Sequence, residues 1–415
     1  AFGQNMALEA NTINAIKAKI SPNIDGIVID DPAWKKIDAT TGFIQQSPDE
    51  GKPATEKTEV KIMFSDENLY VAAICYHNDP EKIIISDARR DSPLDDMDSF
   101  IFILDTFRDY QNGYAFGTNA AGIEYDAQIT KGGEGGSTSR RFSMGTGGGY
   151  NINWDAAWNV KSFIGDFGWS AEFEIPLKTL RYNSKKDQTW GINFQRVISS
   201  NQEKAHWSQI TRQFTVNRLV SAGQLVGIEI PSSRSYKIIP YVLGQANAIS
   251  DSSDRNTNDS DLGLDAKINI GSSLTLDMTY NTDFAQAEAD EQQINLDRFS
   301  LYFPEKRAFF LENAGLFSIG ENTRRGSELS MFFSRRIGIG DDGQQIPIMA
   351  GGRLTGTFSN MRIGLLSMST KSEEFSIFRV KKEMPNRTFF GAMATNMLNL
   401  NSDGYSNQVY ALDGQ

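Results

Sequence analysis

Carboxylates crowd one stretch of this chain: Asp91, Asp95, Asp96 and Asp98, followed by Asp105 and Asp109. Oxygen-rich clusters suit calcium, which takes about 6–8 oxygen ligands, so Asp95, Asp96, Asp98, Asp105 and Asp109 are the candidate metal ligands. The spacing does not match an EF-hand loop, and a solvated acidic loop has the same composition. Glycoside hydrolysis would need two carboxylates about 5–5.5 Å or about 6.5–9.5 Å apart across a cleft. Glu172 and Glu174 share one face of an expected strand, but such i, i+2 pairs are routine on wet faces. Sugar binding without catalysis needs flat aromatic faces flanked by planar polar groups. Trp154 and Trp158, in Asn153-Trp-Asp-Ala-Ala-Trp158, and Tyr110, Asn112 and Tyr114, in an expected hairpin turn, are the candidates.

Composition removes several alternatives. The net charge of -11 and a pI near 4.9 argue against a nucleic-acid partner, which would demand a basic face. Cys75 is the lone cysteine, so the chain has no internal disulfide and no thiolate metal cluster. His77 and His206 are the two histidines, too few for most zinc sites and triads. No apolar run approaches the roughly 18 residues of a membrane-spanning helix. A β-barrel stays open as an expectation, because barrels hide their hydrophobicity in alternation. The opening Ala-Phe-Gly-Gln looks like sequence left after signal-peptide removal, so export is expected, with residues 1–20 as an extension.

The elements that would position these residues are strands almost throughout. Residues 262–270 and 274–284 alternate apolar (Leu262, Leu264, Ala266, Ile268, Ile270; Leu274, Leu276, Met278, Tyr280, Phe284) with polar side chains. Gly271-Ser-Ser273 separates them, which predicts a tight hairpin. Further strands are expected at 236–248, 329–339, 346–358, 361–370, 375–382, 388–397 and 408–412. That makes about nine, where bacterial single-chain barrels use even numbers, so a continuation of the chain or one miscounted strand is expected. Ser359-Asn360 is tight where the alternation of loop lengths would put a long loop. A boundary falls near Ile230-Pro-Ser-Ser-Arg234, and the Gly-, Ser- and Thr-rich stretch 132–150 reads as a flexible loop.

Several motifs occur in order before that boundary: Ile24-Asp-Gly-Ile-Val-Ile-Asp-Asp-Pro-Ala-Trp34, a strand-turn-strand over 60–76, Asp98-Ser-Phe-Ile-Phe-Ile-Leu-Asp105, Tyr114-Ala-Phe-Gly-Thr-Asn119 and Trp169-Ser-Ala-Glu-Phe-Glu-Ile-Pro176. Together they resemble family 9 carbohydrate-binding modules, and the resemblance implies a β-sandwich over 21–230 with Trp34 and Trp169 in its framework. Sugar-binding members place a tryptophan near the acidic stretch where this sequence has Asp91-Ser-Pro-Leu-Asp-Asp96. Residues 298–313, 332–337 and 352–356 resemble outer-membrane proteins that carry such a module ahead of a C-terminal barrel. This implies a barrel over 235–415, partial in this chain, in a Gram-negative cell envelope with the module on the periplasmic side. Arg298, Glu305, Lys306, Arg307, Glu312, Arg335 and Arg336 then line the lumen or an inward-folded plug. An arginine facing lipid at the bilayer midplane would cost about 2–4 kcal/mol. The expected role is non-catalytic glycan binding coupled to transport or anchoring, with membrane lipid and glycan as partners. Docking of an envelope protein by the sandwich, or an enzyme or enzyme accessory for glycosides, are the alternatives.

Overall fold

Runs of β-branched and aromatic residues between Gly, Asn and Ser turns make strands, and the chain is all-β apart from single helical turns. The computed structural model describes residues 11–133, 149–152, 154–182, 185–230, 236–247, 257–270, 273–282, 305, 307–311, 314–317, 319, 331–338, 346–358, 361–384, 388–400 and 405–414. The chain divides into two compact units at Ser232–Ser233.

The first unit contains β1 (Thr12–Asn14), β2 (Ile16–Lys17), β3 (Ile44–Ser47), β4 (Thr58–Phe64), β5 (Asn68–Tyr76), β6 (Ser99–Asp105) and β7 (Gly113–Asn119). It continues with β8 (Tyr125–Ile129), β9 (Tyr150–Asn151), β10 (Asn159–Gly165), β11 (Gly168–Pro176), β12 (Asp187–Ile198), β13 (Glu203–His206) and β14 (Gly223–Glu229). One sheet runs β1-β14-β12-β6-β7-β8-β9, with β13 and β3 branching from β12; the other runs β10-β11-β5-β4-β2. Residues 12–17 fall in the expected terminal extension. They instead add a parallel strand to each sheet, at β14 and at β4, where Ile13 and Ala15 reach the core.

Aromatic rings fill the space between the two sheets. Phe102 meets Phe173 edge-on at 5.2 Å, and Phe100 stacks on Phe194 at 5.9 Å. The opposite face of β6 is covered too, because Ile101 and Ile103 pack under Leu94, Met97 and Leu219. Both faces of β6 are therefore dry, which explains its unbroken apolar run Phe100-Ile-Phe-Ile-Leu104. Truncating one such phenylalanine costs about 3–5 kcal/mol.

The second unit is one eight-stranded antiparallel sheet in sequence order. Its strands are β15 (Tyr236–Asn247), β16 (Thr257–Ile270), β17 (Leu274–Thr282), β18 (Ile348–Phe358), β19 (Met361–Thr370), β20 (Glu373–Glu383), β21 (Phe389–Asn399) and β22 (Ser406–Gly414). Among the described residues β15 and β22 do not pair with each other, so closure of the expected barrel is not seen. The ninth expected strand, 329–339, is not a strand over its described residues 331–338: Ser334–Arg336 forms a helical turn instead. Removing it puts the Ser359-Asn360 turn at the short-loop end, while the β19–β20 connection between Thr370 and Glu373 is tight at the other end. The chain enters β15 at the same end of the sheet as the close β16–β17 and β18–β19 connections, the latter closing on the pair Phe358–Met361.

Candidate functional site

Among the described residues of the first unit, Arg90 is the centre of the densest charge cluster. Its Nη1 donates to Glu124 Oε2 (2.7 Å), and its Nη2 to Asp126 Oδ1 (2.8 Å) and Asp155 Oδ1 (2.5 Å). Asp91, held at a positive φ of 58°, lies 3.5 Å from Arg90 Nε, and its own N–H donates to the Glu124 carbonyl. The elements bring these groups together: Glu124 and Asp126 flank the start of β8, while Asp155 comes from the segment leading into β10. Asp126 is buried and accepts a second bond from Ala156 N–H (2.7 Å). Burial pushes its carboxyl up to about 6, against the opposing pull of Ala156 N–H and Arg90. Beside them the Tyr150 hydroxyl donates to the Tyr125 hydroxyl (2.9 Å). Planar carboxylates, a guanidinium that is 40% exposed and two phenols thus meet at one place.

The five residues expected to touch sugar divide differently. Trp154 and Trp158 are buried: Trp158 stacks on Phe173 at 5.9 Å, and Trp154 packs on Tyr114 at 5.1 Å. The platform expected there is corrected to core packing, since neither indole presents a face to solvent. Tyr114 is buried as well, its hydroxyl accepting from Arg181 N–H. Asn112 Nδ2 donates to Asp109 Oδ2 within the turn, and Tyr110, at 40% exposure, is the accessible ring of the set. Leu94, standing where a clamp tryptophan was implied, packs with Ile101, Ile103 and Leu219 against β6 instead.

The candidate calcium ligands do not converge. Asp95 pairs with Lys204 (2.5 Å), and Asp96 offers its carbonyl to the Ser199 hydroxyl. Buried Asp98 accepts from Ile84 N–H (2.9 Å), and Asp105 accepts from Tyr110 N–H (2.8 Å) and Asp109 N–H (3.2 Å). Burial, with Asp109 nearby, raises the Asp105 carboxyl above its ordinary range. Asp109 closes an Asx turn on Gln111 and Asn112 N–H. Among the described residues no three His, Cys, Asp or Glu side chains are placed to share a metal ion. Backbone donors and Lys204 do that work.

Glu172 has a structural assignment. It is fully buried, and its carboxylate accepts from Trp34 Nε1–H (2.6 Å), Gly26 N–H (2.8 Å) and Asp25 N–H (3.0 Å). Glu174 instead takes a bond from Asn68 Nδ2 (3.0 Å). The two carboxylates therefore flank no shared cleft. Trp34 and Trp169 are framework residues, both fully buried.

In the second sheet polarity is inverted. One face is greasy and bare: Tyr236, Ile268, Leu276, Leu354, Leu365, Phe378, Ala394 and Tyr410 form a single cross-strand row over all eight strands. Tyr236 is 78% exposed and Tyr410 73%. A second row, Ile270, Leu274, Gly356, Ile363, Val380, Ala392 and Leu412, runs beside it. The other face buries polar side chains. Arg353 Nη2 pairs with Asp277 Oδ2 at 2.7 Å, Thr279 Oγ1 donates to Asp265 (2.6 Å) and Thr275 Oγ1 to Asn269 (3.0 Å). Arg379 makes a two-pronged pair with Asp413, both contacts at 2.6 Å, passing over Gly391.

Of the charges expected in the lumen or a plug, Arg298, Lys306 and Glu312 lie outside the described residues. Glu305 and Arg307 are buried and paired at 2.7 Å. Arg336 approaches Glu373 at 3.5 Å, and Arg335 shares the helical turn Ser334–Arg336. Arg90, Asp126, Asp277, Arg353 and Arg379 escaped the sequence reading. Asp277 carried a signal as a polar member of the alternating strand, and Arg353 as part of the stretch 352–356.

The family described as a domain of unknown function (DUF5916) matches residues 234–349. No curated protein matches the chain. Among solved structures it is similar to a family 9 carbohydrate-binding module from Caldicellulosiruptor kristjanssonii in complex with glucose, at 18% identity and TM-score 0.37, covering 54% of this chain and 97% of that one. It is also similar to a family 9 module from the same organism in complex with cellotriose, at 16% identity and TM-score 0.35, covering 54% and 95%.

Proposed function

We propose that this is a two-part outer-membrane protein: β15–β22 belong to the wall of a transmembrane β-barrel, and the preceding sandwich is a non-catalytic ligand-binding module. The inverted sheet carries the membrane part. Apolar rows on the bare face and ion pairs on the covered face reverse what water selects and match what lipid selects. The apolar stretch also slides along the strands. Ala266 registers through Met278, Gly352, Ser367, Ser376 and Asn396 with Gln408, yet the outward apolar residues of β22 are Tyr410 and Leu412. Tilted strands need such a drift to keep an oily belt level in a bilayer. The long β15–β16 and β17–β18 connections lie at the end away from Tyr236, where β19–β20 is nevertheless tight; long loops mark the extracellular end of bacterial barrels, so the chain before Tyr236 would lie on the periplasmic side. Cell fractionation with a heat-modifiability gel tests this. The expected result is an outer-membrane protein whose mobility changes on boiling; a freely soluble protein with one mobility refutes it.

For the sandwich, the Arg90 cluster favours a polyhydroxyl ligand. Carboxylates accept from vicinal hydroxyls and a guanidinium donates to them, the pairing that glycans use. Calorimetry of the whole protein in detergent, against xylan and cellulose oligosaccharides and peptidoglycan fragments, tests it with the parent and Arg90→Ala. Binding that Arg90→Ala abolishes supports the reading. No binding leaves protein docking as the better account.

A further inference from the structure

We propose that Lys382 is a headgroup anchor: at the β20–β21 end of the wall its ammonium takes the phosphate of an anionic phospholipid. The proposal rests on the barrel reading above.

The register sorts the strand residues of the second sheet onto its two faces. Among the described positions of the bare face, charge appears at Glu374 and Lys382, both on β20. Both side chains are exposed, and among the described residues neither has an ion-pair or hydrogen-bond partner. Between them β20 turns Ser376, Phe378 and Val380 to the same side.

The separation of the two charges matches the thickness of an oily belt. Lys382 lies eight positions after Glu374. At about 3.4 Å per residue that is about 27 Å of strand, or about 21 Å of height at a tilt of roughly 40°. The apolar band of such barrels is about 25 Å tall. The two charges therefore stand at opposite rims, and a lysine stem spans the few ångströms that remain.

The neighbours of Lys382 select an amphipathic partner. Met361 faces it on one strand and Phe390 on the other, with Phe358 opposite Met361. Phe358 and Phe390 are among the most exposed rings of the chain. An apolar collar around one cation suits a molecule whose chains lie on the rings while its phosphate meets the ammonium. A free phosphate ion has no use for the collar. At the other rim Glu374 repels the same phosphate, so the preference belongs to the leaflet at the β20–β21 end. That is the end at which the chain enters β15.

The test is native mass spectrometry of the whole protein in neutral detergent, with phosphatidylglycerol or phosphatidylcholine of the same acyl chains added. The parent should retain phosphatidylglycerol about fivefold better, the preference expected of one lysine at a headgroup. Lys382→Gln should bring the ratio to about one, and Lys382→Arg should keep it, all with heat-modifiable mobility. Equal retention by the parent, or a preference that survives Lys382→Gln, overturns the anchor. Inorganic phosphate displacing the lipid as well as phosphatidylglycerol does would also overturn it, by making the site a plain anion site. A second arm leaves Lys382 in place. Glu374→Lys, with a cation at both rims, should raise the ratio about fivefold again; an unchanged ratio refutes the rim geometry. A parent without heat-modifiable mobility fails the barrel reading instead.

Discussion

Glu172→Ala should destabilise the first unit sharply while leaving the second unaffected. The carboxylate is fully buried and receives three donors: the Trp34 indole, Gly26 N–H and Asp25 N–H. Alanine would leave them facing a cavity. An orphaned buried donor costs about 1–3 kcal/mol, and partial relaxation of the Asp25–Gly26 turn brings the sum to about 4 kcal/mol. Burial raises the Glu172 carboxyl, so the charge carries a desolvation penalty that its three bonds only offset. Glu172→Gln keeps the shape but turns an amide NH2 toward a donor, at about half that cost. For a unit of this size about 4 kcal/mol is a fall in Tm of roughly 8–16 °C. All six tryptophans lie between Trp34 and Trp207, so selectively excited tryptophan fluorescence reads this unit alone. A Glu172→Ala protein melting with the parent would refute the structural assignment and return Glu172 to candidacy for chemistry.

Other consequences can be measured directly. Asp126 has a folded pKa of about 6, raised above an unfolded value of about 3.9. The native state therefore holds a proton that the unfolded chain has lost, and this group's destabilising charge develops as pH rises from about 4 to about 6. Asp126→Asn should gain on the parent across that window in urea melts read by fluorescence; a difference flat with pH counts against it. Trp158→Ala, which removes a ring stacked on Phe173, should cost about 3–5 kcal/mol and yet leave any glycan affinity intact. Selective loss of binding in a stable Trp158→Ala protein would restore the tryptophan platform. At Gly391 a Cβ would sit 2.6 Å from Arg379 Nη1, so Gly391→Val should break the Arg379–Asp413 pair and lower the temperature at which the folded gel band disappears. An unchanged temperature would mean the pair contributes nothing to the wall.

The sequence disclosed what lies close together along the chain. The alternation over 262–270 and 274–280 was readable because strand periodicity is local, and both strands form. Residues 329–339 misled because they are apolar and short, although Phe332-Phe333 and Arg335-Arg336 come as doublets, which period two forbids. Arg335-Arg336 fall in the helical turn Ser334–Arg336, and Arg307 binds the carbonyls of Ser334 and Ile337 there. Trp154 and Trp158 have the same composition whether they face sugar or core; the neighbouring rings of Tyr114 and Phe173 decide it. The Arg90 cluster draws on Glu124, Asp126 and Asp155, so no spacing rule could collect it. Glu172 was visible as a carboxylate, but Trp34, its partner, is 138 positions away.

Alternation fixes that a strand has two faces without saying which one meets water. In β4, Val60 and Ile62 are buried while Glu59 and Lys61 are partly open, the order expected in an aqueous solvent. In β17 the same pattern is reversed: Thr275, Asp277 and Thr279 are buried while Met278 and Tyr280 are exposed. A buried carboxylate demands a cation on the facing strand, and Arg353 stands opposite Asp277 in the register. Hydroxyls without water demand acceptors, and Asp265 and Asn269 supply them. Such pairing satisfies the covered face whatever solvent lies outside. The bare face has no such freedom: rows of leucine, isoleucine and tyrosine across eight strands lose about 25 cal/mol for every Å² left in water. The barrel reading proposed above accounts for one alternation in two senses along one chain by giving the second sheet an apolar solvent.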